Sequence, residues 1–203
     1  MIAIVNHGLG NFRSVFSAIE FIEKDVVITN KAIDLKKSTK IIIPGVGSFK
    51  YAMQNLKKLN LVETLNEQVL VKKKPVLGIC LGCQLLLKSS EENKDVKGFG
   101  WINGEVKKFK KLKKLPKTHV GWNEIKINND PIFNNMPKKF FMYFNHSYFP
   151  KIAEKKYELG ITNYENKFVS IFKKKNIYGI QPHPEKSQKL GIIFLKNFIK
   201  NDI

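Results

Sequence analysis

Cysteine is scarce in this 203-residue chain: it occurs twice, as Cys80 and Cys83. One pair three residues apart builds no disulfide framework, so the fold must rest on an ordinary hydrophobic core, for which the length suffices. Arginine is scarcer still. Arg13 is the only one among 36 basic residues, set against 17 acidic residues for a formal charge of +19. That imbalance, densest in "KKFKKLKKLPK" (107–117), raises the question of nucleic acid. Lysine is a point charge without the planar fork that reads base edges, and no helix-turn-helix, zinc-finger or aromatic RNA-binding pattern accompanies the run. It reads as a solvated lysine-rich surface, and no nucleic-acid partner is expected. The four histidines, His7, His119, His146 and His183, are scattered without ligand spacing. Cys80-x-x-Cys83 therefore lacks the rest of a zinc site, and neither a metal nor another cofactor is expected, although a redox dithiol stays open. Long hydrophobic runs are missing too. Nothing approaches the roughly 20 apolar residues of a membrane span, and "MIAIVN" is too short for a secretory segment, so a cytoplasmic protein without membrane association is expected.

What is present is an alternation. "MIAIVN" (1–6) reads as a buried strand, "FRSVFSAIEFIEK" (12–24) has helical apolar spacing, and further strands follow at "DVVITN" (25–30), "KIIIPG" (40–45) and "KPVLGI" (74–79). Helical patterns occupy 49–58, 60–72 and 81–90. Such alternation predicts a parallel sheet covered on both faces. After residue 95 the texture changes to strand-like segments separated by turn signals, "WINGEVKKFK", "HVGWNEIKI", "FFMYFNHSYF", "KYELGITNY", "KFVSIFKKK" and "IYGIQ", before a last helical stretch, "QKLGIIFLKNFIK" (188–200). The expectation is one α/β domain over 1–203: an open, mostly parallel twisted sheet flanked by helices, with an antiparallel extension on one side.

Gly78-Ile79-Cys80-Leu81-Gly82 lies where the strand "PVLGI" turns into a helix, at the sheet edge where α/β folds bind ligands. G-x-C-x-G is the cysteine form of a nucleophile elbow, a sharp turn that small flanking residues permit. A cysteine there meets the start of a helix, which favours thiolate, and the N–H of Leu81 faces the space before the sulfur as an oxyanion donor. A small buried core residue is the competing reading of Cys80; for Cys83, one helical turn behind, apolar filler is the better one. A nucleophile needs a base and the base an orienter. "QPHPEKS" (181–187) supplies both: each X-Pro step holds Gln181 and His183 extended, and residues i and i+2 of an extended chain share a side, so Glu185 can hold one imidazole nitrogen while the other faces Cys80.

"GICLGCQ" with a later "HPE" resembles the class I, triad-type glutamine amidotransferases, in the right order and over nearly the whole chain. Their fold is flavodoxin-like. "PGVGSF" (44–49), "NHGLGNFRSV" (6–15), "VGWNEI" (120–125) and "YFNHSYF" (143–149) are similar to the branch that forms the glutaminase subunits of imidazole glycerol phosphate synthase. A GGES-type segment would mark the pyridoxal-phosphate-pathway branch, and histidine in place of Cys83 the anthranilate synthase branch. The resemblance implies that Cys80 attacks the carboxamide of L-glutamine, that His183 relays protons and Glu185 orients it, and that a glutamyl thioester is hydrolysed. It implies an oxyanion hole from Leu81 N–H and an amide of Gly45, Val46 or Gly47. It implies glutamine binding by Gln84, by Glu92 on the ammonium, and by the backbone around His146, Ser147 and Tyr148. Ammonia would pass to a (β/α)8-barrel cyclase bound as a heterodimer, through an interface including Asn11, Arg13, Trp122, Tyr143 and Lys186. Isolated subunits of the branch tend to be poorly active until the synthase and its ligand are present.

Two features depart from the usual pattern: the first loop reads "NHGLGN" where an acidic residue followed by an aromatic is common, and lysine is in excess. They touch the partner and leave the triad unaffected. A paralogous glutaminase feeding a synthase of amidino sugars is the alternative acceptor. Two other classes compete. A cysteine peptidase or DJ-1-like protein on a related fold shares the elbow but not "HPE" and Gln84, and a non-enzymatic basic binding protein predicts no loss when Cys80 becomes alanine.

Overall fold

The computed structural model describes residues 1–8, 10–110 and 113–200; Leu9 of the first loop, Lys111 and Leu112 of the lysine run, and 201–203 lie outside the described residues. The N-terminal half alternates as its pattern predicts: β1 (Ile2–Val5), α1 (Phe12–Glu20), β2 (Val26–Thr29), α2 (Ala32–Lys37), β3 (Lys40–Ile43), α3 (Phe49–Lys58), α4 (Leu61–Asn66), β4 (Val76–Ile79) and α5 (Leu81–Leu85). The short α2 carries no strong apolar spacing and was not expected. Then come β5 (Ser89–Ser90), β6 (Gly104–Lys108), β7 (His119–Ile127), β8 (Lys139–His146), β9 (Tyr148–Ile152), β10 (Glu158–Tyr164), β11 (Asn166–Lys174), β12 (Ile177–Ile180) and α6 (Gln188–Lys200).

Nine strands form one sheet in the order β2-β1-β3-β4-β12-β11-β10-β7-β8. From β2 to β12 the neighbours are parallel, and from β12 to β8 antiparallel. Alternate residues of the central strands go to opposite cores. Ile2, Ile4, Ile42, Leu77 and Ile79 meet Val15 of α1 and Phe194 and Phe198 of α6. Ala3, Val5, Ile41, Ile43 and Val76 meet Ala52, Met53, Leu65 and Leu81 of α3, α4 and α5. Both faces being covered explains why these strands read as unbroken apolar runs rather than alternating ones.

Three local expectations are corrected. The apolar run 81–90 is helical only to Leu85. The carbonyls of Leu85, Leu86 and Leu87 accept from Phe99, Ile102 and Gly100 N–H instead of from a continuing helix, and the chain turns into β5. The stretch 60–72 is a short α-helix closed by a π-turn, Glu67–Val71, after a left-handed Asn60 separates it from α3. "FFMYFNHSYF" is two strands: the chain leaves the large sheet at Ser147, and β9 joins β6 and β5 in a second, three-stranded sheet that pattern alone did not reveal. Within the lysine run, the Glu165 carboxylate accepts from the N–H groups of Lys113, Lys114 and Leu115, tying the backbone to the β10–β11 turn. No helix among the described residues is long and apolar enough to cross a membrane.

The centre of the sheet depends on a ring laid over a missing side chain. A Cβ on Gly179 of β12 would stand 2.0 Å from the Phe172 ring, which is fully buried on neighbouring β11. Phe172→Ala therefore opens a cavity over Gly179, which has no side chain to move into it. The expected loss is about 3–5 kcal/mol of unfolding free energy, read from denaturant unfolding.

Candidate active site

β4 ends at Ile79 and Cys80 takes φ 53°, ψ −111°, outside the ordinary regions for an L-residue, before α5 begins. Two glycines make room for this turn. A Cβ on Gly82 would lie 1.7 Å from the Ile43 carbonyl oxygen, and one on Gly78 would lie 2.7 Å from both the Cα of Cys83 and the Gly82 carbonyl oxygen. The Cys80 N–H donates to the Ile180 carbonyl at 2.8 Å, and the Cys80 carbonyl accepts from Cys83 and Gln84 N–H. Holding such a turn costs on the order of 1–3 kcal/mol, which this packing must supply. Since α5 has only five residues, its dipole is a small part of the electrostatics at the sulfur.

β12 runs parallel beside β4, with Ile180 paired to Ile79, and therefore delivers Gln181-Pro182-His183 to the same sheet edge. His183 is extended, and its Nδ1–H donates to Glu185 Oε1 at 2.8 Å, with both side chains buried. Glu185 thereby orients the ring on Nδ1 and leaves the other nitrogen for the sulfur, to which His183 hydrogen-bonds. Burial opposes a charge on His183, but the Cys80 sulfur and the Glu185 carboxylate outweigh it and push the imidazole up to about 10. Cys83 lies behind, fully buried, its thiol pushed well up by burial and next by Cys80. It belongs to the apolar core, as its spacing suggests.

A cavity of about 290 Å³ opens in front of Cys80, lined by Val46, Gly47, Leu81, Gln84, Glu92, Thr118, Asn145, His146, Ser147 and Tyr148. A larger open hollow of about 840 Å³, mostly on β7, β10 and β11, is lined by lysines, glutamates, asparagines and apolar side chains and has neither cysteine nor histidine. Of the two, the smaller one holds Cys80.

Residues 4–201 match the family described as "Glutamine amidotransferase class-I". The chain is 46% identical over 98% of its length to the imidazole glycerol phosphate synthase subunit HisH 2 of Methanococcus maripaludis, covering 99% of that protein. It is 44% identical, again over 98% of its length, to subunit HisH 1 of Campylobacter jejuni, covering 100% of that protein. Among solved structures it resembles one described as a glutamine amidotransferase, with a TM-score of 0.75 at 14% identity over 98% and 99% of the two chains. It also resembles PurLQS of Thermotoga maritima, with a TM-score of 0.72 at 17% identity over 98% and 95%. This chain belongs to the class I glutamine amidotransferases. The sheet order and flanking helices are those of an α/β fold of that family.

Within the amidotransferase site, the residues singled out from sequence fall into three groups. Cys80, His183 and Glu185 converge. Gln84, Glu92 and the 146–148 segment line the cavity, with two differences in detail. Glu92 already accepts the N–H of Phe49, the first residue of α3, on Oε2. The His146 ring is occupied: its Nδ1–H donates to the Tyr148 carbonyl at 2.8 Å and its Nε2 accepts from His119 Nδ1–H at 3.0 Å. What this segment offers a ligand is therefore its backbone and the Ser147 hydroxyl, which bonds Thr118 at 2.9 Å. Of the expected oxyanion donors, Leu81 N–H lies at the right edge but donates to the Gly45 carbonyl at 3.3 Å, so the loop expected to complete the hole occupies it here. The third group gathers behind His183. The ring of Tyr143 meets Trp122 edge-on at 6.3 Å, carries Lys186 Nζ at 5.7 Å from its centroid, and lies 6.4 Å from the His183 ring. Asn11, which accepts from Ser14, borders Glu185 across a narrow gap, and Arg13 is exposed two residues on.

Sequence reasoning missed His119 and His7. His119 is fixed only by cross-strand register, opposite His146. His7 Nε2–H holds the Pro44 carbonyl at 2.7 Å, just before the oxyanion loop. Burial pushes His146 down to about 3 and His119 to about 4 from the ordinary 6.5. Both are neutral when folded, so below pH 6.5 the unfolded chain binds more protons and stability is lost as pH falls toward those values. His183 acts in the opposite sense: its contribution is present below about 6.5 and is lost as pH rises through about 10. Urea unfolding should report a stability at pH 5 lower than at pH 7, by about 2 kcal/mol from His146 alone. A flat profile between the two would contradict a neutral buried pair.

Proposed function

We propose that this chain is the glutaminase subunit of an imidazole glycerol phosphate synthase. It hydrolyses L-glutamine and passes ammonia to a (β/α)8-barrel cyclase that makes imidazole glycerol phosphate and an aminoimidazole carboxamide ribotide for histidine biosynthesis. The observation that carries this is the buried Cys80–His183–Glu185 constellation at the edge of a cavity of about 290 Å³, in a chain alike over 98% of its length to proteins bearing that subunit's name.

In this reading His183 takes the Cys80 proton and the sulfur adds to the carboxamide carbon, putting negative charge on its oxygen. The C–N bond then breaks, His183 gives its proton to the departing nitrogen, and ammonia leaves a γ-glutamyl thioester. Water, deprotonated by His183, adds to the thioester carbon; the C–S bond breaks, and glutamate departs. Glu185 keeps the imidazole oriented and balances its charge throughout.

The closed oxyanion loop supplies the regulation. In a trans peptide the carbonyl and the next N–H point oppositely, so while the Gly45 carbonyl faces Leu81 the Val46 N–H faces away. One rotation of the Gly45–Val46 peptide would free Leu81 N–H and present Val46 N–H beside it, giving both donors at once. A missing donor of this kind costs roughly 100- to 1,000-fold in turnover. The Trp122–Tyr143–Lys186 cluster, with Val120 and Phe141 exposed on the same face of β7 and β8, forms the docking surface for the cyclase. It touches the backbone of the base directly, since His183 N–H donates to the Tyr143 carbonyl at 2.8 Å.

A second acceptor deserves a test, because Methanococcus maripaludis has two proteins named as this subunit, at 46% and 41% identity to this chain. A paralogue of that kind could serve a synthase of amidino sugars. Ammonia release from glutamine, assayed with histidine-pathway cyclase and its ribonucleotide present and absent, separates the two. The expected result is turnover raised at least a hundredfold by both together; low turnover with that pair moves the amidino-sugar acceptor forward. In the stimulated complex Cys80→Ala and Cys80→Ser should be inactive yet still bind cyclase, and His183→Ala should lose at least about a thousandfold. Retained turnover in Cys80→Ala would refute the nucleophile.

A further inference from the structure

Gln181 has been assigned no part in the reaction, yet strand register sets it beside the nucleophile. It follows Ile180 on β12 as Cys80 follows Ile79 on β4, and the two strands pair in parallel at that step. Its side chain is fully buried, and Nε2 lies 3.6 Å from Cys80 Sγ.

The orientation of this amide follows from its neighbours. The Tyr148 carbonyl can only accept, so the group Gln84 turns toward it at 2.9 Å is its NH2. The same Gln84 nitrogen lies 3.0 Å from the far end of Gln181, which must then be the oxygen; Cys83 Sγ–H points at that oxygen too, at 3.8 Å. Gln181 consequently faces the sulfur with N–H. Reversing the amide would set two NH2 groups against each other in a site closed to water. Besides the His183 imidazole, which hydrogen-bonds the sulfur, Sγ has the Asn145 carbonyl at 3.9 Å, an acceptor that suits the thiol. Gln181 is the neutral donor among these partners, suited to S⁻ and unable to take the proton itself.

We propose that Gln181 is a further catalytic residue: its amide N–H holds the Cys80 sulfur as thiolate before attack and again as it leaves the thioester, and Gln84 locks that amide in place. The inference rests on Cys80 being the nucleophile. Gln181 exchanges no proton; the thiol proton goes to His183 as before. Because Gln84 also lines the cavity, a ligand drawing on Gln84 acts on the donor at the sulfur.

The test reads the sulfur directly. In the full-length chain carrying Cys83→Ala, where Cys80 is the sole thiol, the rate of alkylation by iodoacetamide is measured against pH. Gln181→Met, equal in reach but without a donor, should move the acid limb of that profile up by about one pH unit, a roughly tenfold slower reaction below the midpoint, with the rates converging in alkali. Gln181→Glu, which keeps an acceptor toward Gln84 but turns an anion on the sulfur, should move it further. In the complex with cyclase, kcat should fall about tenfold with KM held within twofold. Superimposable alkylation profiles in the folded variants overturn the proposal. Should neither variant fold, the unmutated chain decides: the Gln181 side-chain amide resonance should shift in step with Cys80 ionisation, and one that does not respond overturns it equally. Turnover surviving in Cys80→Ala would mean that the nucleophile reading has failed; loss there with unmoved alkylation profiles would remove Gln181 alone.

Discussion

The strained turn at Cys80 is the constraint on which the rest depends. A positive-φ residue between β4 and α5 is tolerated because Gly78 and Gly82 let Cys83 and the Ile43 carbonyl pass closer than a Cβ would allow. That crowding ties β3, β4 and α5 together at one point. The proposed oxyanion loop leaves β3, the proposed nucleophile Cys80 ends β4, and the proposed base His183 follows β12, the next strand over. Three segments distant in sequence meet because parallel neighbours end at the same edge.

Electrostatics divide the histidines by what surrounds them. His183 has a sulfur and a carboxylate for neighbours, and these overcome burial; His119 and His146 have each other, aromatic rings and a backbone carbonyl, and burial wins. The first is therefore disposed to carry a proton through a reaction and the other two to stay neutral as structure. The Leu81 N–H, a donor in the proposed oxyanion hole, is held by the Gly45 carbonyl. In the proposed reaction an oxyanion donor held by the chain's own backbone would leave turnover slow until it is freed. The Tyr143 carbonyl on the His183 N–H and Lys186 over the Tyr143 ring place the exposed aromatic face one residue from the triad, where docking can bear on it.

Much of this was legible in the residues, for identifiable reasons. The elbow was legible because a sharp turn demands small residues at fixed spacing, and His183–Glu185 because prolines fix an extended backbone. The parallel half was legible because strands buried on both faces read as apolar runs. Where the reading failed, non-local contacts had overridden local pattern. Leu85, Leu86 and Leu87 look helical, but residues 99–102 take their carbonyls; Ser147 sits inside an unbroken strand pattern yet marks the switch between sheets. The His119–His146 pair and the orientation of Gln181 follow from register across strands, which one segment read alone does not carry. The closed oxyanion hole is a matter of one peptide plane, to which side-chain pattern is blind.

The central claim is that the sulfur held at this turn becomes acylated by glutamine. The most direct measurement is mass spectrometry of the acid-quenched complex with cyclase and its ribonucleotide, during turnover of glutamine. The account predicts a γ-glutamyl adduct on the peptide carrying Cys80, confined to that sulfur and absent from Cys80→Ser. Steady glutamine hydrolysis with the label on Cys83, or with turnover undiminished in Cys80→Ser, would contradict it.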